Sequence, residues 1–502
     1  MIRRFRFRCA FALAALGFGA GPLPAGAQAT TGLSTAPGQE QPVNTLIQAL
    51  SIAYFNNAAL QAQRAALRQA DENVPAALSG WRPTVALSGS AGRVMGTQTE
   101  IISTFLPAQV LPQNRDEAIG QATLTQPIFT GGKTTEATRE AKNQVYAQRA
   151  QLLATEGQVF LSVVTDYVTV VTDTRLLELD RNNVSVLQRQ LQATNEQFNI
   201  GAITLTSVAQ AQAALAQAKA QIAIALGNLE IAQENFRHDV GQSPGDLAAP
   251  QPLVLPVSSQ AMAGALAQQN NPNVIAAEFT NAADKDAVDV AFSALLPQVS
   301  LQAAGYMESG QSGPGTRLSG GSVLGQLSVP LYQGGQEYAT IRQARAKVQQ
   351  SFAQIIDARR SAYAQAAQAF EGLAASREAV VSTNAAITAN AIALDGTERE
   401  EIIGTRDTLD VLNAQQLLLQ SQEQQVQNIA NVVTESYTVA AAIGRLTATD
   451  LGLPIKQYDD LQYYNAVKDA AFGTGEAADA DAGVTLDGSL LAGKPPADQP
   501  LP

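Results

Sequence analysis

The chain has 502 residues, of which only 15% are charged, and its 44 acidic and 32 basic residues give a formal net charge of −12. This balance argues against a nucleic-acid partner, because phosphate binding needs clustered Lys and Arg and no basic stripe is present. One cysteine, Cys9, and one histidine, His238, leave few ligands for a metal centre and few groups for a catalytic site. We therefore expect no metal, no cofactor and no enzymatic activity.

Residues 1–27 are predicted to be a secretory signal peptide. Four arginines between residues 3 and 8 precede an apolar run over residues 9–20, and small residues at 25–27 form a cleavage motif. A retained anchor is the alternative, although the apolar run is shorter than the ~20 residues that cross a bilayer as a helix. Cleavage would remove Cys9 and place the mature chain outside the cytoplasm.

The next part of the chain is predicted to contain a helix followed by two strands. Apolar spacing indicates a helix that begins at an N-cap, Asn44, and continues through Leu67. After Trp81 the pattern changes to the alternation expected of half-buried strands. The predicted first strand, intervening loop and second strand are Thr84–Ser90, Met95–Asp116 and Ile119–Leu124.

The segment from Pro127 to Gly132 occurs twice, since Pro330 to Gly335 repeats its pattern 203 residues later. Proline cannot donate to a sheet ladder and therefore ends a central strand or lies on a free edge. Paired glycines allow a positive φ and a change of direction. Each copy is therefore predicted to be a strand-to-helix junction, with Pro127, Gly131 and Gly132 in the first and Pro330, Gly334 and Gly335 in the second.

A long helix is predicted from Lys133 to about Asn199. Its apolar residues follow the 3-4-3 spacing of a coiled coil, and it would be roughly 100 Å long at ~1.5 Å per residue. A glycine and a β-branched cluster at residues 198–204 predict a tight helix–helix turn. The return helix, about Ser207 to Val240, is half as long, so another helix must complete it.

After a proline-rich linker at residues 241–256 the same plan restarts. Asn270-Asn271 repeats Asn56-Asn57, a Gly-rich loop is predicted at 310–321, and the offset then stays at 203 residues as far as Gly444. A constant offset predicts duplicated helices of equal length, with both turns at the same depth. The predicted divisions are a first repeat at 28–250, a second at 251–454, and a C-terminal extension at 455–502 that is largely a disordered tail.

The signal peptide, the duplicated plan, the two junctions, the turns at 198–201 and 403–406 and the segment 410–415 together resemble the TolC family of outer-membrane efflux channels. The resemblance covers about residues 44–454. It implies a mainly α fold with a pair of β-hairpins: a long antiparallel coiled-coil α-helical barrel and a shared transmembrane β-barrel. Each chain would contribute four strands, which gives 12 in a homotrimer.

The resemblance also implies a location and partners. The protein would lie in the outer membrane lipid of a Gram-negative bacterium and extend into the periplasm. It would be the passive exit duct of a tripartite efflux or type I secretion system, with a periplasmic adaptor protein and a proton-driven or ABC-type inner-membrane pump. The alternative is that the chain is itself a periplasmic adaptor with helical hairpins.

By the same resemblance, residues at and after the second turn form the periplasmic gate. Asp410 would line the aperture and Arg406 would make the polar contacts that hold it shut. Asn413 and Ser207 occupy positions where relatives have aspartates, so the carboxylate ring is smaller and one salt bridge of Arg406 is lost. The alternative is that Asp410 and Arg406 only cap a helix. The adaptor is expected to dock on the turn residues Gly201, Ile203, Thr204, Gly404 and Thr405.

Overall fold

A computed structural model describes residues 43–100, 109–310 and 315–474. The predicted signal peptide and the end of the C-terminal extension lie outside the described residues. The first repeat contains helices α1 (Leu46–Asn56), α2 (Ala58–Asp71) and α3 (Asn73–Leu78), strands β1 (Thr84–Glu100) and β2 (Gln109–Phe129), and helices α4 (Lys133–Asn199) and α5 (Leu205–Val240). The second contains α6 (Gln260–Asn270), α7 (Pro272–Phe292), β3 (Gln298–Ser309), β4 (Arg317–Ser328), α8 (Gln336–Ile402) and α9 (Thr408–Ala442). A short helix, α10 (Gln462–Val467), follows.

The strands of both repeats form a four-stranded antiparallel sheet in the order β1-β2-β3-β4. The two hairpins have the same register, since Thr84 pairs with Thr125 in the first and Gln298 pairs with Ser328 at the corresponding positions of the second. The two repeats therefore join through β2 and β3, where Thr125 pairs with Gln302.

The prediction of a loop over Met95–Asp116 is wrong, because β1 and β2 stay paired out to Glu100 and Gln109. Pro112 is tolerated inside β2 because β3 pairs with β2 only from Ala118 onward, which leaves Pro112 on a stretch with a free side. The Gly-rich loop predicted at 310–321 is likewise shorter, since β4 begins at Arg317.

Proline ends the strand in only one copy of the junction, and in the other it lies on a free side of β2, beyond the last residue that pairs with β1. In the second repeat β4 ends at Ser328, before Pro330. In the first, β2 continues through Pro127, which pairs with Ser300, and the register shifts between Pro127 and Phe129. A bulge leaves one residue out of the ladder and so accommodates a residue that cannot donate.

The predicted equality of the long helices is confirmed, because α4 and α8 each have 67 residues. The predicted helix over Asn44–Leu67 is instead two helices. Thr45, not Asn44, caps α1: its hydroxyl accepts from the Gln48 N–H at 3.3 Å, and the Gln48 side chain accepts from the Thr45 N–H at 3.2 Å. This reciprocal pair is a capping box. Asn57 then caps α2.

The shorter helices continue the return helices end to end, as the length argument required. The Asn57 side chain at the start of α2 donates to the carbonyl of Asp239 at the end of α5, at 3.0 Å. The equivalent Asn271 at the start of α7 donates to the carbonyl of Ala442 at the end of α9, at 2.9 Å. Each asparagine thus satisfies two helix ends, which normally leave backbone groups without partners.

The main core lies where α1 and α2 cover the middle of α4. Phe160, Tyr167 and Phe236 are fully buried there, and the Tyr167 hydroxyl donates to the carbonyl of Ala248 at 2.7 Å. The start of the C-terminal extension packs on the same region, where the Tyr463 hydroxyl donates to the Glu72 carboxylate at 2.8 Å. None of the described helices is long and apolar enough to cross a membrane.

Candidate functional site

The link between α4 and α5, called turn 1 here, covers residues 200–204. Gly201 has a φ of 77°, in the left-handed region that favours glycine. The Ala202 N–H donates to the carbonyl of Gln197 and the Gly201 N–H to that of Phe198, both at 2.9 Å. These two bonds form a Schellman motif that closes the end of α4.

The link between α8 and α9, called turn 2, covers residues 403–407 and repeats this backbone. Gly404 has a φ of 80°, and the Thr405 and Gly404 N–H groups donate to the carbonyls of Glu400 and Glu401, both at 2.9 Å. Both predicted helix–helix turns are therefore confirmed.

Four of the five predicted docking residues are exposed and Ile203 is half-buried. The exposed residues are Gly201, Thr204, Gly404 and Thr405.

A cluster of three charged side chains connects turn 2 to the helices on either side of it. Arg406 Nε donates to Glu400 Oε2 at 3.1 Å, and its Nη1 lies 3.5 Å from Asp410 Oδ2. The hydrogen bond to Glu400, and then the charge of Asp410, raise the pKa of the Arg406 guanidinium. The arginine thus joins the last turn of α8 to the first turn of α9.

The first turn of α9 is capped by a residue that the sequence argument did not consider. The Asp407 side chain accepts from the Asp410 N–H at 3.1 Å, which makes Asp407 the N-cap. Asp410 therefore does not cap the helix, and its carboxylate is directed at Arg406. Asn413 lies one turn further along α9 and is exposed.

Turn 1 lacks the charges of turn 2. Subtracting the 203-residue offset from Glu400, Arg406 and Asp410 gives Gln197, Ile203 and Ser207, none of which is charged. The N-cap Thr204 makes no side-chain capping bond. Ser207 is half-buried, and its hydroxyl lies 3.5 Å from that of Thr204, so the described contacts of Ser207 are local to turn 1.

The structure does not place the two turns at the same depth. The Gln190 side chain on α4 donates to the Glu401 carboxylate at 3.4 Å. Gln190 lies about three helical turns before Gly201, whereas Glu401 lies within one turn of Gly404. Leu412, near the start of α9, also packs against the cluster formed by Val184 and Leu187 of α4 and Ala218 of α5. Turn 2 is therefore set back along α4, so equal helix lengths do not give equal depth.

The strand-to-helix junctions adopt the predicted backbone in both copies. Gly131, Gly132, Gly334 and Gly335 all have positive φ, and Gly132 and Gly335 are the N-caps of α4 and α8. A Cβ at Gly131 would lie 2.9 Å from Leu296 Cβ, whereas a Cβ at Gly334 would have no atom within 4 Å. The first junction is thus packed on the second repeat, and the second junction is open.

Two residues that shape turn 2 and its contacts escaped the sequence argument, for different reasons. Asp407 could have been found, because an aspartate three residues before Asp410 and ahead of an apolar run is a typical N-cap signal. Glu400 belongs to the end of α8, and its contact with Arg406 arises only when the turn folds back. No three His, Cys, Asp or Glu side chains among the described residues are placed to hold a metal ion.

Comparison with known proteins extends these observations. The family model for outer membrane efflux proteins matches residues 49–242 and 264–445, which correspond to the two repeats. Outer membrane efflux protein BepC of Brucella suis biovar 1 (strain 1330) is 33% identical over 439 residues, which cover 87% of this chain and 93% of that protein. Outer membrane protein TolC of Escherichia coli (strain K12) is 25% identical over 350 residues, which cover 65% of this chain and 69% of that protein.

Solved structures show the same fold. The outer membrane protein VceC of Vibrio cholerae superposes with a TM-score of 0.67 at 20% sequence identity. The superposition covers 80% of this chain and 96% of that one. The match spans both repeats of strands and long helices. With the family model matched in both repeats, the chain belongs to the outer membrane efflux protein family and is an outer-membrane channel that extends into the periplasm.

Proposed function

We propose that the protein is the passive exit duct of a tripartite efflux or type I secretion system and works as a homotrimer. The observation that best supports this proposal is the sheet with two open edges. Every residue of β4 is exposed, including Val323, Leu324 and Leu327. Open strand edges are not tolerated in lipid, so β4 needs another strand beside it.

The duplication supplies a specific partner strand, which is β1 of a second copy. Both hairpins have the same register, and β2 pairs with β3 through Thr125 and Gln302. Residues of β4 lie 203 positions after their equivalents in β2, and residues of β3 lie 214 positions after their equivalents in β1. Replacing Thr125 and Gln302 by these equivalents gives Ser328 of one chain opposite Ser88 of the next. Three chains joined in this way would close a 12-stranded barrel.

The open second junction agrees with the same arrangement. Gly131 packs against the segment around Ser293 and Leu296, which precedes β3. The equivalent segment of the first repeat is Ser79–Arg82, before β1. In a ring of copies, Gly334 would pack against that segment of the neighbouring chain and would no longer be open.

This arrangement can be tested with paired cysteines in the full chain. Oxidation of Ser88→Cys/Ser328→Cys should give covalently linked trimers on a denaturing, non-reducing gel, because paired cross-strand residues have Cβ atoms close together. The control, Leu87→Cys/Ser328→Cys, should not crosslink, since a one-residue shift directs the side chain to the other face of the sheet. Equal crosslinking of both pairs, or of neither, would contradict the proposed register.

The gate is proposed at turn 2, where Arg406, Glu400 and Asp410 interact. The ion pairs fix the start of α9 relative to the end of α8 and would hold the periplasmic end narrow. With Asn413 in place of a second acidic residue, each chain contributes one carboxylate, Asp410, to the ring, and a divalent cation should block the pore weakly. The adaptor would dock on the exposed residues of turns 1 and 2, and the pump would supply the energy.

Channel activity is tested by conductance of the purified protein in planar bilayers. Stepwise ion currents that increase when Arg406 is replaced would support a gated duct. A failure to conduct, both before and after that replacement, would contradict it. The described strands and long helices come in two matched sets, which argues against the alternative of a periplasmic adaptor.

A further inference from the structure

Two adjoining cavities lie between α4, α5 and α9. They measure about 350 and 250 Å³, and both are lined by Asp180, Gln221 and Glu423. They therefore form one elongated groove lined by three helices of the same chain. Neither Asp410 nor any residue of turn 2 lines the groove.

The groove is rich in oxygen acceptors and poor in positive charge. Asp173, Asp180 and Glu423 supply carboxylates, and most of the remaining polar lining consists of Gln and Asn side chains. The described lining of the two cavities contains no Lys, Arg or His. Amide oxygens accept hydrogen bonds from a cation, so this lining favours a positively charged ligand.

One carboxylate lies on the wall of both cavities without a hydrogen bond or an ion pair among the described residues. Asp180 is only 4% exposed, and within the described part of the chain its side chain has no hydrogen bond or ion pair. Gln415, 6% exposed and on the wall of the second cavity, has a buried Oε1 without a hydrogen-bond partner. Burial raises the pKa of Asp173, Asp180 and Glu423, and the Asp180 charge adds to the effect on Glu423. A buried carboxylate without a counter-charge is costly, and a cation would remove that cost.

The spacing of the carboxylates favours a long cation over a metal ion. Asp173 and Asp180 are two helical turns apart on α4, or roughly 10 Å at ~1.5 Å rise per residue. Among the described residues no acidic group of three is close enough to hold one metal ion. Between the carboxylates, Leu176 and Ala225 provide apolar wall suited to methylene groups.

We propose that this groove binds a linear aliphatic polyammonium ion. One terminal ammonium bonds to Asp180 and Glu423, and the other bonds to Asp173. The methylene chain lies against Leu176 and Ala225. A bound polycation bridges α4 and α9 and so connects the two helical hairpins of one chain, on the side of the gate that faces the β-strands.

The test is isothermal titration of the full-length protein in detergent with spermidine as the probe. Saturable binding is expected, and Asp180→Asn should weaken it about tenfold or more, because a charge-assisted hydrogen bond is lost. The matched control is Glu230→Gln, which removes one negative charge from an exposed position on α5 and should leave the affinity unchanged.

Chain length tests the geometry without any substitution. Putrescine carries the two terminal ammonium groups on a shorter chain and lacks the middle amine, so it should bind the unaltered protein more weakly than spermidine does. Absence of saturable binding, equal affinity for the two amines, or an Asp180→Asn variant that binds like the Glu230→Gln control would overturn the proposal. So would displacement of spermidine by Mg²⁺ at equal concentration, since that would indicate a metal site.

Discussion

Turn 1 and turn 2 have nearly the same backbone and different chemistry. Gly201 and Gly404 differ in φ by only a few degrees, and both turns are closed by the same two backbone hydrogen bonds. Turn 2 adds Arg406 between two carboxylates, whereas turn 1 has Ile203 at the equivalent position. The duplicated backbone therefore provides two equivalent scaffolds, and only the second carries a charged cluster centred on one arginine.

The largest expected effect comes from removing that charge. Arg406→Ala leaves Glu400 and Asp410 as neighbouring carboxylates without a counter-charge, so the start of α9 should separate from the end of α8. We expect bilayer conductance to rise about tenfold, since a gate held by one ion-pair cluster per chain opens when the cluster is removed. The matched control is Ile203→Ala in turn 1, which should leave the conductance unchanged. Equal increases in the two variants would remove the proposed distinction between the turns.

A second difference between the repeats concerns a buried acid. Asp71 is 1% exposed and neither carboxylate oxygen has a hydrogen-bond partner, whereas the equivalent residue of the second repeat is Lys285. Burial, opposed by the charge of Arg149, raises the pKa of Asp71 from 3.8 to about 7. The folded protein thus keeps this proton up to about pH 7, whereas the unfolded chain releases it near pH 4. Its contribution to stability is full below about pH 4 and is lost as the pH rises towards 7.

Replacement of Asp71 should therefore matter more at high pH. At pH 8, Asp71→Asn should raise the free energy of unfolding by roughly 1–3 kcal/mol, because an ionised buried group is removed. At pH 4 the change should be close to zero. Denaturant unfolding at both pH values measures the difference, with the exposed Asp246→Asn as control. A gain that is the same at both pH values would show that ionisation is not the cause.

Sequence patterns predicted the parts of the fold that depend on local conformation and on the duplication. The constant offset gave two helices of equal length, and the glycine pairs marked both junctions. Three features escaped because they depend on distant neighbours. Pro112 lies in a strand because β3 does not reach it, Glu400 meets Arg406 only across the folded turn, and turn 2 is set back because of how α9 packs on α4.

The backbone likeness of the two turns makes its own prediction. Gly201→Ala and Gly404→Ala should each cost about 1 kcal/mol, since alanine is disfavoured at a positive φ. A Cβ at either position would meet no atom within 4 Å, so conformation alone determines the cost. Thermal unfolding of the two variants should show equal shifts. A much larger loss at Gly404 would mean that the charged cluster depends on the turn conformation, and would weaken the view of two equivalent scaffolds.

The smallest expected effect distinguishes how the two return helices begin. Asp407 caps α9 through the Asp410 N–H, whereas Thr204 makes no side-chain capping bond to α5. Asp407→Ala should therefore cost roughly 0.5–1 kcal/mol, as for other N-cap deletions, and Thr204→Ala should cost less. Hydrogen exchange of the first-turn amides gives the local readout: faster exchange is expected at Asp410 in the first variant and no change at Ser207 in the second. Because Asp407 also positions the backbone of Asp410, the same variant should slightly raise the conductance. A loss of stability with unchanged conductance would show that the cap supports the helix but not the gate.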